Sequence, residues 1–178
     1  MSSVVISGNT SGTITLDAPA VAGTTTLTLP ATTSTLAING PAFSAYQSVQ
    51  QTGIAATTWT KITLTTENFD TNSNYASSRF TPTVAGYYQI NGTITLVGAN
   101  AAYFVFCNLY KNGVIYAQSA PTLGGTSFYP TSGCGAVIYL NGSTDYVELY
   151  AFGSAGGSWS TYNTQENTNF SGALVRSA

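Results

Sequence analysis

Side chains that could carry out acid–base or nucleophilic chemistry are scarce in this sequence. Histidine is absent, which removes Ser-His-Asp and Cys-His nucleophile activation and every histidine metal site. Asp145 and Glu148 are the nearest carboxylates within one predicted strand. Because side chains alternate along a strand, these two residues, three positions apart, point to opposite faces. Glu67 and Asp70 are interpreted as a solvated strand end. We therefore expect no catalytic residues, no cofactor and no enzymatic activity.

The two cysteines, Cys107 and Cys134, lack the spacing of a metal site. Each falls on the apolar face of a predicted strand, so we interpret them as small buried core residues. A disulfide between facing sheets is the alternative, and it is disfavoured for a protein made in the cytoplasm.

The composition is a hint that the protein works inside an assembly, with simple compositional drift as the alternative. Only 6% of the residues are charged, against about 25% in typical domains, and the net charge is −2. A weakly charged surface tends to associate. The cations are scattered, so the basic patch that nucleic-acid binding needs is not expected. They are Lys61, Arg79, Lys111 and Arg176.

The N-terminal sequence does not have the pattern of a signal peptide. No basic segment precedes its short apolar run, and no run in the chain approaches the ~20 apolar residues of a membrane span. We therefore expect a protein made in the cytoplasm that does not insert into a membrane.

Alternating side chains after Gly86 predict a long, half-buried strand. One face is mainly apolar: Tyr88, Ile90, Ile94 and Leu96. The other face carries Tyr87, Gln89, Asn91, Thr93 and Thr95. Pro82 cannot donate to a ladder and Gly86 tolerates positive φ, so we predict a tight turn at Ala85-Gly86.

Further alternating segments, separated by turn residues, bring the total to about ten strands. Asn112-Gly113 is typical of a hairpin turn. Residues 69–75 are predicted as a connection, and residues 153–168 as a long loop that carries Trp159 and Tyr162. Without helical periodicity, this pattern predicts an all-β sandwich.

Residues 1–40 form a separate arm in this interpretation, and residues 41–178 form the second domain. The arm contains a near-repeat, Gly12-Thr-Ile-Thr-Leu-Asp-Ala-Pro19 and Gly23-Thr-Thr-Thr-Leu-Thr-Leu-Pro30, which predicts short strands. A few short strands cannot bury enough surface alone. We therefore expect the arm to trimerise or to dock on another protein, with a flexible leader as the alternative. The anchoring candidates are Ile14, Leu16, Leu27 and Leu29.

The near-repeat resembles leaders of bacteriophage tail and virion-surface proteins. The second domain resembles the C1q / tumour necrosis factor superfamily in four stretches that occur in the family's order. These are Phe43-Ser-Ala-Tyr46, Phe80-Thr-Pro-x-x-Ala-Gly-x-Tyr88-x-Ile90, Leu109-Tyr-Lys-Asn-Gly113, and Leu140-Asn-Gly-x-x-Asp145-Tyr-Val147-x-Leu149 followed by Phe170-Ser-Gly-Ala-Leu174. The resemblance implies a ten-stranded jelly roll that assembles as a homotrimer for binding and assembly rather than catalysis.

The departures from the family are also informative. The arm stands where family members often carry a collagen-like stalk. Some members bind calcium through carboxylates near the trimer apex, but the carboxylates here are scattered, so we expect no metal site.

Two sets of aromatic residues are candidates for contact surfaces. Aromatics on a sheet face could form the subunit interface, with the core as the alternative position for each: Tyr88, Phe104, Phe106, Tyr139 and Tyr150. Aromatics in Gly/Ser/Asn-rich loops could contact a receptor, with packing back on their own domain as the alternative for each: Phe128, Tyr129, Trp159 and Tyr162.

Together these observations predict a virion structural protein of a bacteriophage, located on the virion surface. Residues 1–40 would attach it to capsid or tail proteins, and the trimeric head would decorate the particle, as a tail fibre or a capsid decoration, or contact a host-surface glycan or protein. The alternative is a bacterial surface or spore-coat head domain that acts as an adhesive or ligand.

Overall fold

The computed structural model describes residues 3–7, 10–17, 24, 40–98, 103–124, 129–154 and 157–178. The chain divides into two compact units, Met1–Thr35 and Leu36–Ala178. Every regular element in the described ranges is a β-strand, which confirms the all-β prediction. The described part of the chain accordingly contains no helix long and apolar enough to cross a membrane.

The described part of the first unit is a two-stranded antiparallel hairpin of β1 (Ser3–Ser7) and β2 (Thr13–Asp17). The aliphatic side chains of β1 are exposed: Val4, Val5 and Ile6. An isolated hairpin is marginally stable in water. Ile14 and Leu16 lie on β2, whereas Leu27 and Leu29 lie outside the described residues, so the anchoring role of these four stays a prediction.

The described second unit contains two seven-stranded antiparallel sheets. We name each sheet after a central strand. The β9 sheet has the order β4-β15-β9-β16-β3-β6, with β13 also paired to β9. Its strands are β3 (Ala42–Tyr46), β4 (Ile54–Ala55), β6 (Thr66–Asp70), β9 (Ala85–Val97), β13 (Thr131–Asn141), β15 (Ser158–Thr161) and β16 (Asn169–Ser177).

The β14 sheet has the order β11-β10-β14-β8-β7, with β12 also paired to β10 and β5 to β14. Its strands are β5 (Thr60–Lys61), β7 (Tyr75–Ala76), β8 (Arg79–Phe80), β10 (Tyr103–Lys111), β11 (Val114–Gln118), β12 (Thr122–Gly124) and β14 (Val147–Gly153).

The core lies between the two sheets, on the faces that the alternation predicts. On β9 the buried positions include Tyr88 and Ile90, and on β14 they include Leu149. Gly92 lies on the same face of β9, and a Cβ there would come within 2.2 Å of Leu149 Cδ1. Gly92 therefore leaves the space that Leu149 fills.

Aromatic rings fill one end of this core. Phe43 stacks on Phe80 with ring centroids 4.3 Å apart and on Tyr75 at 5.0 Å, and it meets Phe170 edge-on at 4.9 Å. Phe80 also meets Tyr88 edge-on at 5.6 Å. Offset and edge-to-face pairs of this kind add to the free energy of simple area burial.

The predicted turn at Ala85-Gly86 is wrong. Both residues belong to β9, and the chain bends before them. Gly86 is required for a different reason, since a Cβ there would lie 2.4 Å from the Arg176 carbonyl oxygen and 2.7 Å from Leu174 Cδ1. Glycine thus permits the close approach of β16 to β9.

The loop predicted over residues 153–168 is interrupted by a strand. β15 pairs with β4 through Trp159↔Ile54 and with β9 through Thr161↔Leu96. The connection predicted over residues 69–75 also contains the end of β6. By contrast, the hairpin turn at Asn112-Gly113 is confirmed, because both residues have positive φ, 52° and 79°.

Candidate interaction surface

The outer face of the β9 sheet carries an exposed apolar patch. It consists of Tyr87 on β9, Val137 and Tyr139 on β13, and Val175 on β16, which are 45%, 51%, 41% and 60% exposed. We call these four residues the tyrosine–valine patch. They are neighbours because strand pairing sets Tyr139 opposite Tyr87 and Val137 opposite Gln89.

Contacts within the patch hold its rings in place. The rings of Tyr87 and Tyr139 have centroids 5.4 Å apart. Lys111 donates a 2.7 Å hydrogen bond from Nζ to the Tyr139 carbonyl oxygen, and Nζ lies 5.8 Å from the centre of the Tyr139 ring. A groove of about 550 Å³ runs along the patch, and it is lined by Tyr87, Val137, Val175, Arg176, Ser177 and Ala178.

A β-bulge in β16 explains why Val175 reaches the patch. Leu174 pairs with Tyr88 and Arg176 pairs with Tyr87, so Val175 is an extra residue between them. Val175 and Arg176 are both exposed, whereas Leu174 packs against the core. The bulge therefore places an aliphatic and a cationic side chain together on the outer face.

Polar side chains without charge continue the same face along β9. Gln89 Nε2 donates to Asn91 Oδ1 at 3.0 Å. Gly135 on β13 lies opposite Asn91, and a Cβ there would come within 2.7 Å of Asn91 Oδ1. Aromatic residues and arginine beside uncharged polar groups are the composition of protein–protein interfaces, where most charged residues are depleted.

Tyr139 is the one predicted interface residue that lies on this patch. Tyr88 is fully buried in the core, so its assignment to a subunit interface is wrong. Its hydroxyl donates a 2.6 Å hydrogen bond to the Val84 carbonyl oxygen, and burial raises the pKa of Tyr88 to about 12. The signal for the patch was present in the alternation, which sets Tyr87 on the face opposite Tyr88.

The other three predicted interface residues lie on the outer face of the β14 sheet. Phe106 and Tyr150 are half-buried there by aromatic neighbours of their own unit: Tyr150 stacks on Tyr110 at 3.9 Å, and Phe106 lies 6.1 Å from Trp59. Intramolecular packing thus accounts for part of the burial of both, and their assignment to the subunit interface stays a prediction. Phe104 is 47% exposed near the start of β10.

Of the aromatic residues predicted as receptor contacts in loops, one is buried and two are exposed. Trp159 is 1% exposed, so its assignment as a surface contact is wrong. A Cβ on Gly153 would lie 2.4 Å from Trp159 Cε2, which shows how closely the indole packs on that glycine. Tyr129 and Tyr162 are exposed with centroids 5.5 Å apart, and Phe128 lies outside the described residues.

The carboxylate Glu148 is almost completely buried beneath two cations. Lys61 Nζ and Arg79 Nε both donate to its Oε1, at 2.6 Å and 2.8 Å, and Arg79 lies 3.8 Å over the Tyr146 ring. Burial pushes the pKa of Glu148 upward, but the hydrogen bonds and charges of Lys61 and Arg79 outweigh it and hold this pKa below its ordinary value. Glu148 is therefore a structural carboxylate engaged by its own partners.

Two other carboxylates, Asp145 and Asp70, also have local structural partners. Asp145 accepts from Asn112 Nδ2 at 2.7 Å and pairs with Lys111 at 2.9 Å, and these contacts lower its pKa. Asp70 accepts from the backbone N–H of Tyr75 and holds a turn. Among the described residues, no three Cys, Asp or Glu side chains cluster as metal ligands.

No family model and no curated protein matches this sequence. Solved structures of similar fold do exist. Murine APRIL at pH 5.0 aligns with a TM-score of 0.56 at 7% identity, over 76% of this chain and 99% of APRIL. Eiger, a TNF from S. frugiperda, aligns with a TM-score of 0.54 at 10% identity, over 79% and 95%. The fold of the present chain is therefore the tumour necrosis factor-like jelly roll that the sequence resemblance implied.

Proposed function

We propose that this chain is a homotrimeric virion structural protein of a bacteriophage, whose head domains associate through the tyrosine–valine patch. The patch carries the proposal, because it leaves four large apolar side chains exposed on one sheet face. Soluble monomers rarely expose a contiguous apolar patch of large area, and such patches mark sites of protein–protein contact. The resemblance to the C1q / tumour necrosis factor superfamily implies three copies about one axis.

A closed ring gives every copy of the patch a partner. Charge does not oppose this association. The patch itself is neutral, and Arg176 at its edge belongs to a residue type enriched at interfaces. Gln89 and Asn91 beside it can exchange hydrogen bonds with water for bonds to a neighbouring copy.

The virion role rests on the first unit and on the composition. The β1–β2 hairpin exposes Val4, Val5 and Ile6, and such aliphatic side chains are suited to docking on a capsid or tail protein. The near-repeat that resembles phage leaders contains β2, and the low charge of the whole chain suits permanent packing in a particle. The exposed pair Tyr129 and Tyr162 is then available for host-surface glycan or protein.

The trimer is tested by Val137→Glu, which places a carboxylate in the centre of the patch. We expect the native protein to sediment as a trimer at micromolar concentration and Val137→Glu as a monomer, with association weakened at least about 100-fold because an unpaired charge resists burial. Val114→Glu is the matched control, since Val114 is 69% exposed on β11 and lies outside the patch. A native monomer, or a Val137→Glu trimer, contradicts the proposal.

The anchoring role is tested in the full-length chain with Val4→Asp and Ile6→Asp together. We expect this variant to keep the melting temperature of the head and to lose at least about tenfold in its incorporation into purified phage particles, because charges replace the aliphatic contact. Incorporation is measured by co-sedimentation with the particle. Undiminished incorporation refutes the anchor, and binding to bacterial cells instead of particles favours the adhesive alternative.

A further inference from the structure

Cys107 and Cys134 approach each other from opposite sheets. Cys107 lies on β10 of the β14 sheet, Cys134 lies on β13 of the β9 sheet, and their Sγ atoms are 2.9 Å apart. Both are free thiols in this structure. Because a disulfide bond is about 2.05 Å long, an approach of roughly 1 Å would bring the sulfur atoms to bonding distance.

Neighbouring contacts hold the two thiols together. Cys107 Sγ lies 3.5 Å from the Gly92 carbonyl oxygen, and Gly92 is the residue paired with Cys134 on the adjacent strand. The Cys107 backbone N–H donates to Ser119 Oγ at 3.0 Å, and Ser119 Oγ lies 2.7 Å from Ser132 Oγ. The sheets are therefore already tied at this edge beside the sulfur atoms.

The two thiols differ in their access to solvent. Cys107 is fully buried, whereas Cys134 is half-buried. Cys134 also shares the inward orientation of Ile138 rather than the outward one of Val137, so the tyrosine–valine patch does not include it. An oxidant in solution can therefore reach Cys134 first.

We propose that Cys107 and Cys134 form an intramolecular disulfide between the sheets when the reduced protein meets a small-molecule disulfide such as oxidised glutathione. The Cys134 thiolate attacks one sulfur of the oxidant, which forms a mixed disulfide and releases one glutathione thiol. Cys107 Sγ then attacks Cys134 Sγ, loses its proton and displaces the second glutathione. Two protein thiols are oxidised to one disulfide, and one glutathione disulfide is reduced to two thiols.

The bridge would close a loop that contains β11 and β12. Closing such a loop removes conformational freedom from the unfolded chain, and a bridge that fits the native geometry stabilises the fold. A reducing environment such as the cytoplasm keeps the two cysteines as free thiols, whereas an oxidising environment favours the disulfide. This inference does not depend on the virion role, because it follows from the position of the two sulfur atoms alone.

The test compares the reduced full-length protein before and after incubation with oxidised glutathione. We expect the mass of the chain to fall by two hydrogens, a non-reduced digest to contain the Cys107 and Cys134 peptides joined, and the melting temperature to rise by about 10 °C. The proposal is overturned by any of three results: two thiols that still titrate after oxidation, disulfides between separate chains, or an unchanged melting temperature.

Single variants test the order of the two steps. Cys107→Ser should accumulate the mixed disulfide with glutathione at Cys134, because the resolving thiol is absent. Cys134→Ala should form no adduct while folded, because Cys107 is buried. An adduct on Cys107 of folded Cys134→Ala, at the rate seen for Cys107→Ser, contradicts the proposed order. Neither variant should show the rise in melting temperature, and a rise in either overturns the assignment of the bridge.

Discussion

Phe80→Ala should lower the free energy of unfolding by about 4 kcal/mol, the largest loss that we expect from a single substitution in this protein. Phe80 is fully buried, and its ring lies between Phe43 and Tyr88. Truncation removes the transfer free energy of the ring and leaves a cavity, because the neighbouring rings are themselves packed in the core and cannot close it. Two aromatic pairs are lost as well.

The measurement is chemical denaturation at a fixed protein concentration, since the proposed association would stabilise the folded chain. Phe69→Ala is the matched control, because Phe69 is 51% exposed on β6 and its truncation should change the free energy by no more than about 0.5 kcal/mol. Equal losses in the two variants would show that the ring cluster contributes no more than a surface phenylalanine does.

Replacing both Lys61 and Arg79 with methionine should cost about 3 kcal/mol, because it leaves the Glu148 carboxylate buried without a cation. The triple variant that also carries Glu148→Met should recover most of this loss, since apolar residues of similar length can replace a buried ion cluster. Denaturation of the three proteins at pH 7 provides the comparison. If the triple variant is as unstable as the double variant, the loss comes from packing rather than from charge.

The stability of the native protein and that of the double variant should change in opposite directions as the pH falls. In the native protein the pKa of Glu148 lies below its ordinary value of 4.5, so the folded state favours the charged form. Its contribution to stability is complete above about pH 4.5 and is lost as the pH falls through the lowered pKa. Without the two cations, burial raises this pKa, so acid should protonate Glu148 and partly restore the stability of the double variant.

The faces of the strands could be predicted correctly from the sequence, because the alternation of side chains along a strand is a local property. The assignment of Ile90 and Leu96 to a buried apolar face followed directly from their positions along one strand. The turn chemistry of Asn112-Gly113 was equally local. Gly86 was misinterpreted because its constraint comes from β16, a strand that is distant in sequence.

The candidate interaction surface was harder to predict for the same physical reason. Alternation assigns Tyr88 and Tyr139 each to one face of a strand but does not say which face the second sheet covers. That depends on strand pairing, which sets Tyr139 opposite Tyr87. Trp159 was misplaced because a short strand within a Gly- and Ser-rich segment has little pattern, and its burial depends on contacts with Gly153.

The bulge at Val175 also separates changes in the outer face of β16 from changes in the core. Before it, each residue of β16 is tied to a core or a surface position by the period of two. After it, the phase is shifted by one, so Arg176 faces outward although a regular strand would have turned it inward. A single inserted residue can thus alter the side chains exposed on the outer face while Leu174 keeps its packing. If the proposed trimer forms through this face, its subunit contacts can change here without a change in the hydrophobic core.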